Sequence, residues 1–143
     1  RKIDILRDLW AQVFEELFDE LERQPVAGRD GVSRLTAIAT GYVAFWLARR
    51  DHYFLVFMSS GVTQPDVSVF VKNDALLQRF AIFRYALAKA LEGKGGDAEL
   101  ALKSDLLVCT LNGIAHNLIT ISAYPWTRPE KLVRTAVQGI LRA

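Results

Sequence analysis

From Leu106 to Ala123 the chain reads LLVCTLNGIAHNLITISA, with no formally charged residue but with Asn112, His116, Asn117 and two threonines scattered through it. A helix that is apolar all round is either enclosed by protein or lies in a membrane. The run barely reaches the ~20 apolar residues that a span needs. Its amides and imidazole oppose insertion, and the following YPWTRPEK is a capped turn rather than an aromatic and basic belt. No membrane association is expected, so protein must cover this helix on all sides.

Three stripes divide its circumference. Leu107, Leu111, Ile114, Leu118 and Ile121 form an apolar one, and Cys109, Asn112, His116 and Thr120 a semi-polar one. Leu106, Thr110, Gly113 and Asn117 form a third, with small residues that permit close packing. The final helix is also broadly apolar, through Leu132, Val133, Ala136, Val137 and Ile140. Two helices with more apolar face than one small domain can bury imply an oligomer interface. The simplest closed arrangement is a two-fold homodimer in which the last two helices of each chain form a four-helix bundle. Leu106, Thr110, Gly113, Ile114, Asn117, Leu132, Ala136, Val137 and Ile140 are the expected interface.

The rest of the chain supplies five more helical patterns. Residues 2–24 carry Ile3, Leu6, Trp10, Val13, Phe14, Leu17 and Leu21 on one stripe, with acids elsewhere in the second half and Pro25 as the stop. A glycine-containing loop leads to a helix over 32–50, capped by Ser33 or Asp30, with Leu35, Ile38, Ala39, Tyr42, Phe45, Trp46 and Ala48 on its apolar face. Asp51 caps a short aromatic helix over 52–59, followed by a loop to Pro65. Val67, Val69 and Val71 alternate as a strand would, but an isolated strand is not viable, so they read as the frayed start of a helix over 74–91. Leu76, Leu77, Phe80, Phe83, Leu87 and Leu91 are its buried face. GKGGD is a break, Asp97 caps the helix that carries the uncharged run, and Thr127 with Pro129 and Glu130 starts the last one. The fold class is all-α, a single six-helix domain over residues 1–143.

A chain of 143 residues at 51% hydrophobic and 24% charged is long enough for a real core and is not of disordered composition. A net charge of +2 without a basic cluster excludes a nucleic-acid grip by this stretch. One cysteine cannot form an internal bridge, which fits a reducing, cytoplasmic setting. There is no signal-peptide pattern, and the sequence begins inside a helical pattern without methionine, as the visible part of a longer protein would.

Nothing supports an enzyme. Cys109 and His116 lie two turns apart, about 10–11 Å along a helix, too far for a thiolate–imidazole pair. Cys109 reads instead as a buried small hydrophobe beside a satisfied histidine. His52 and His116 lack metal-ligand spacing, no phosphate loop is present, and no cofactor is expected.

Two features point to an apolar cavity with a few polar groups. One is aromatic density: Trp10, Phe14, Phe45, Trp46, Phe54, Phe57, Phe80 and Phe83 all fall on inward faces, which suits a packed core and a hydrophobic pocket alike. The other is Arg84, on or beside the stripe of Phe80, Leu87 and Leu91. A buried arginine needs a partner, either a carboxylate such as Glu16 or an acidic ligand, unless it snorkels to solvent.

The order of elements resembles the C-terminal regulatory domain of the TetR/AcrR family of bacterial transcription regulators. LRDLWAQVFEELFDEL is similar to the helix that follows the DNA-binding domain there. GYVAFWLARRDHYFLVFMSSG resembles the family's aromatic helix pair, and LLVCTLNGIAHNLITISAYPWTRPEKLVRTAVQGIL its final two helices. The family's N-terminal helix-turn-helix has no counterpart here, and the resemblance implies that it lies upstream of residue 1. It further implies a homodimeric sensor of a small hydrophobic or weakly acidic effector, in a repressor that touches operator DNA only through that other domain. By position the cavity candidates are Trp10, Phe14, Tyr42, Phe45, Phe57, Phe80, Phe83, Arg84, Asn112 and His116. A stand-alone helical carrier of hydrophobic small molecules is the alternative.

Overall fold

The computed structural model describes residues 2–24, 30–58 and 74–143. The expected loops around Pro25 and Pro65 and the valine alternation at 67–71 lie outside them. Among the described residues the chain is all-helical, without a strand. The segments are α1 (Lys2–Glu22), α2 (Gly31–Ala48), α3 (Arg50–Phe57), α4 (Asp74–Arg79), α5 (Ala81–Leu91), α6 (Asp97–Thr120) and α7 (Pro129–Arg142). No described helix is long and apolar enough to cross a membrane.

The predicted helix over 74–91 exists but tightens at Phe80. There the Phe80 amide bonds to the Leu77 carbonyl, and the Phe83 amide to that of Phe80, three residues back rather than four. The Phe80 ring packs on α1, 4.8 Å from Phe18 and 5.7 Å from Phe14 between centroids. Leu77, expected inside, is exposed.

Helix starts differ by a residue or two from expectation. Asp30 caps α2, its side chain accepting from the Ser33 amide at 2.6 Å. Asp51 and Asp97 sit in first turns, where a carboxylate still meets the positive end of the dipole. Arg128 rather than Thr127 precedes α7, with Pro129 at its first position. The uncharged helix stops at Thr120, and the indole of Trp126 closes the following turn by donating to the Ile121 carbonyl at 2.8 Å.

α2 is the helix that touches the most others. It packs against α1, α3, α5, α6 and α7, and buries Leu35, Ile38, Ala39, Tyr42, Val43, Phe45 and Trp46. Ala48, expected on that face, is exposed. α6 turns Leu107, Leu111, Ala115, Leu118 and Ile119 inward. Its other side is open in a single chain: Leu102 is 67% exposed, Leu106 46% and Ile121 51%. One chain thus covers only part of α6, and the uncharged run is not buried throughout.

Two arginines clamp the acidic half of α1. Arg49, between α2 and α3, donates from Nε to Glu16 at 3.0 Å and from Nη2 to Glu20. Its guanidinium also lies 4.2 Å from the Phe45 ring centre. Arg79, ending α4, reaches Asp19 at 2.9 Å and Glu22 at 3.1 Å. Exposed pairs are worth about 0–1 kcal/mol each. The apolar stripe therefore holds α1 down, and the arginines set its position.

The tightest backbone approach is at the start of α2. A Cβ on Gly31 would stand 2.7 Å from the Lys89 carbonyl carbon and 2.8 Å from the Ala90 nitrogen, at the end of α5. Backbone cannot swing aside as a side chain can. Gly31→Ala is expected to cost about 1–3 kcal/mol by overpacking, despite alanine's better helix propensity. Urea denaturation reads this directly, and an unchanged midpoint would contradict the close approach.

Candidate functional site

Trp46 is fully buried on α2, and aromatic rings surround it. Centroid distances are 5.9 Å to Phe14, 6.2 Å to Tyr42, 5.1 Å to Phe45, 5.9 Å to Tyr53 and 5.3 Å to Phe57, each close to edge-on. Edge-to-face contacts suit the ring quadrupole and add about 0.5–1.5 kcal/mol per pair beyond area burial. Tyr42 extends the set to Phe83, at 5.4 Å.

Polar groups thread this cluster in two rungs. The Tyr42 hydroxyl donates to Asn112 Oδ1, and the Tyr53 hydroxyl shares a hydrogen bond with His116 Nδ1. Asn112 and His116 are one turn apart on α6, so α2 and α3 each hand one tyrosine to the same row. The Trp46 indole N–H lies beside the Tyr42 hydroxyl but completes no hydrogen bond. Burial disfavours a phenolate and raises the pKa of both tyrosines, Tyr42 the more strongly, so both hydroxyls remain donors at neutral pH.

α3 is the thin wall of this site. Only Tyr53 among its residues is fully buried; Phe54, Phe57 and Met58 are exposed. Leu55 and Val56 lie against Leu6 and Trp10 of α1, a small cluster that Val56 joins to the main core. The Trp10 indole donates to the Leu55 carbonyl at 3.0 Å. A continuous chain of contacts thus runs from His116 through Tyr53 and α3 to the first half of α1.

Of the residues expected to line a cavity, Phe14, Tyr42, Phe45 and Phe57 meet around Trp46, with Phe83 behind Tyr42 and Asn112 and His116 on the rungs. Trp10 stands apart in the cluster under α3. Arg84 is exposed and away from the rings around Trp46. Glu16, offered as its partner, belongs to Arg49. Arg84 instead lines a groove of about 600 Å³ between α5 and α6, with Leu77, Phe80, Phe83, Asp105 and Cys109. Cys109, expected to be buried, is exposed. Trp46 and Tyr53 are the residues that site selection from sequence passed over. Trp46 carried a signal, being inward in an aromatic helix; Tyr53 carried none in a helix with aromatics on every side.

The expected interface residues divide. Leu106, Gly113 and Asn117 are exposed on α6, and a Cβ on Gly113 would meet nothing within 4 Å. Thr110 and Ile114 are half-buried, as are Leu132 and Ala136 on α7. Val137 and Ile140 lie in the chain's own core. Among the described residues no group of three or more His, Cys, Asp or Glu side chains is placed to hold a metal ion.

The raised Tyr42 pKa has a measurable consequence. A folded value above the ordinary value of 10.0 means that its stabilisation is whole below about pH 10 and is lost as pH rises through the folded value. Stability should be level from about pH 7 to 9 and fall above about pH 10. Tyr42→Phe should lose about 1–2 kcal/mol at pH 7 by leaving Asn112 without its donor, and its alkaline fall should be shallower. Urea midpoints across pH test both, and a variant as alkali-sensitive as the parent would remove Tyr42 from the account. Compared with known proteins, the chain matches no family model, no curated protein and no solved structure.

Proposed function

We propose that this chain is the effector-sensing and dimerisation domain of a TetR-like transcription regulator, acting on operator DNA only through a separate DNA-binding domain. The observation that carries this reading is the connected path from the polar rungs to α1. A sensor needs an apolar site with a few polar groups, and it needs a route from that site to the element that leads to the DNA-binding domain. The Trp46 cluster with Tyr42, Tyr53, Asn112 and His116 supplies the first. α3, bonded to α6 through Tyr53 and to α1 through Leu55, supplies the second.

In this reading a small hydrophobic or weakly acidic effector enters beside α3 and competes for the tyrosine hydroxyls. α3 then moves and takes the acceptor of Trp10 with it. The effector shifts the equilibrium only by its difference in affinity for the two positions of α3, and operator DNA opposes it by the same amount. The open row of α6 serves the two-fold contact. Leu102, Leu106 and Ile121 are already partly covered, so burying the rest of each would yield about 1–2 kcal/mol, counted twice across the axis. That total, roughly 10 kcal/mol, is of the size that association entropy costs, so the helix pair with α7 must add to it.

Two measurements test the proposal. Sedimentation should show a dimer at micromolar concentration that Leu106→Glu converts to a folded monomer, since Leu106 is exposed within one chain. A monomeric parent chain would remove the dimer. A thermal-shift screen of hydrophobic and weakly acidic compounds should give stabilising hits that Tyr53→Phe weakens. Hits that leave Tyr53→Phe unaffected would place binding elsewhere, and a screen without hits would leave the cluster as packed core.

A further inference from the structure

We infer that the groove between α2 and α5 is a second binding site, distinct from the Trp46 cluster, for an amphipathic molecule with one anionic head such as a medium-chain carboxylate. It encloses about 460 Å³ and shares no residue with the tyrosine rungs. Its volume falls within the ~300–1,000 Å³ of ordinary small-molecule sites.

The charges in it are unevenly answered. α1 and α4 contribute Glu22 and Arg79 to its lining, and these two pair at 3.1 Å, with Asp19 holding Arg79 from behind at 2.9 Å. Arg79 is therefore a neutralised, fixed part of the wall. The Gly31 contact that brings the start of α2 onto the end of α5 also sets Arg34 and Lys89 beside the groove. Among the described residues neither of these has an ion-pair partner. Positive charge is thus in surplus where α2 meets α5.

Between the charged residues the lining is apolar. Ile38 and Ala86 are buried beneath it and Ile82 is half-buried. Tyr85 stands over it, 72% exposed, a large aromatic side chain left to solvent at the edge of a groove. An apolar body lying on Ile38 and Ile82 under the Tyr85 ring, with its anionic head at Arg34 and Lys89, satisfies both features. A neutral molecule answers only the first, and a cationic one opposes the second. The inference is independent of the regulatory reading, since it uses none of that site's residues.

The test is titration of the whole chain, labelled at isoleucine methyls, with decanoate, decanol and decyltrimethylammonium. Decanoate should shift the Ile38 and Ile82 methyls and bind at least tenfold more tightly than the other two. The Arg34→Gln, Lys89→Gln double variant should weaken decanoate roughly tenfold, as the loss of two partly exposed charges allows, with decanol unchanged. Lys89 is exposed and Arg34 half-buried, and circular dichroism verifies that the variant folds. Equal binding of decanol, or full affinity in the double variant, would overturn the charge-directed site. Shifts at Ile114 and Ile119 with Ile38 and Ile82 unmoved would put decanoate on α6 instead, overturning the groove while leaving the regulatory reading standing.

Discussion

The rest of this structure depends on one helix that gathers five others around it, with only its row of Val32, Thr36, Thr40 and Ala44 left open. α2 meets α1, α3, α5, α6 and α7, so each of those needs only one apolar face to complete the core. α7 shows the result most clearly: Val133, Val137 and Ile140 point inward and Lys131, Arg134 and Gln138 outward. Gathering helices in this way requires a close backbone approach, and α2 has one at Gly31 against α5, while at Gly41 the side chains of Leu21 and Gln24 lie close. Interiors packed to crystal density leave little slack, so a single added methyl at such a point is felt.

α1 is attached in two different ways along its length. Its second half lies in the main core through Val13, Phe14, Leu17, Phe18 and Leu21, and Arg49 and Arg79 grip it from two other elements. Among the described residues its first half buries Leu6 and Trp10, against Leu55 and Val56 of α3. Burial is worth about 1.5–3 kcal/mol for each such side chain, so among the described residues the second half contributes the larger share of the attachment.

Much of this was legible in periodicity. The stripe of α1 from Leu6 to Leu21, the buried row of α7 and the break after Leu91 all follow from spacing and turn residues. What periodicity did not reveal is which helix lies at the centre. The uncharged run of α6 looked enclosed, but its outward row of Leu102, Leu106, Cys109, Gly113 and Asn117 is neutral and exposed. α2 contains Arg34 and several hydroxyls, yet it is the one that touches five others. Asn112 and His116 stood out as polar groups in an apolar helix, but their partners are 70 and 63 residues away in sequence, beyond any local pattern. Arg84 failed for a nearer reason. Four residues past Phe80 is a 40° step round the helix, enough to carry it from the edge of the buried stripe to the surface.

α6 carries both kinds of feature on neighbouring positions. Asn112 and His116 bond to the tyrosines, while Gly113 and Asn117, each the next residue along, lie on the open side. A helix moves as a rigid body over such distances, because its own hydrogen bonds resist local twisting. Any shift or rotation of α6 that loosens the rungs must displace the outward row as well. Conversely, a partner that holds Leu106 and Gly113 in place also fixes the row to which Tyr42 and Tyr53 bind. Pathways between sites earn belief only when a physical element with two positions joins them. In this chain the candidate is a single helix that carries the rungs at Asn112 and the exposed His116 directly beside the uncovered row.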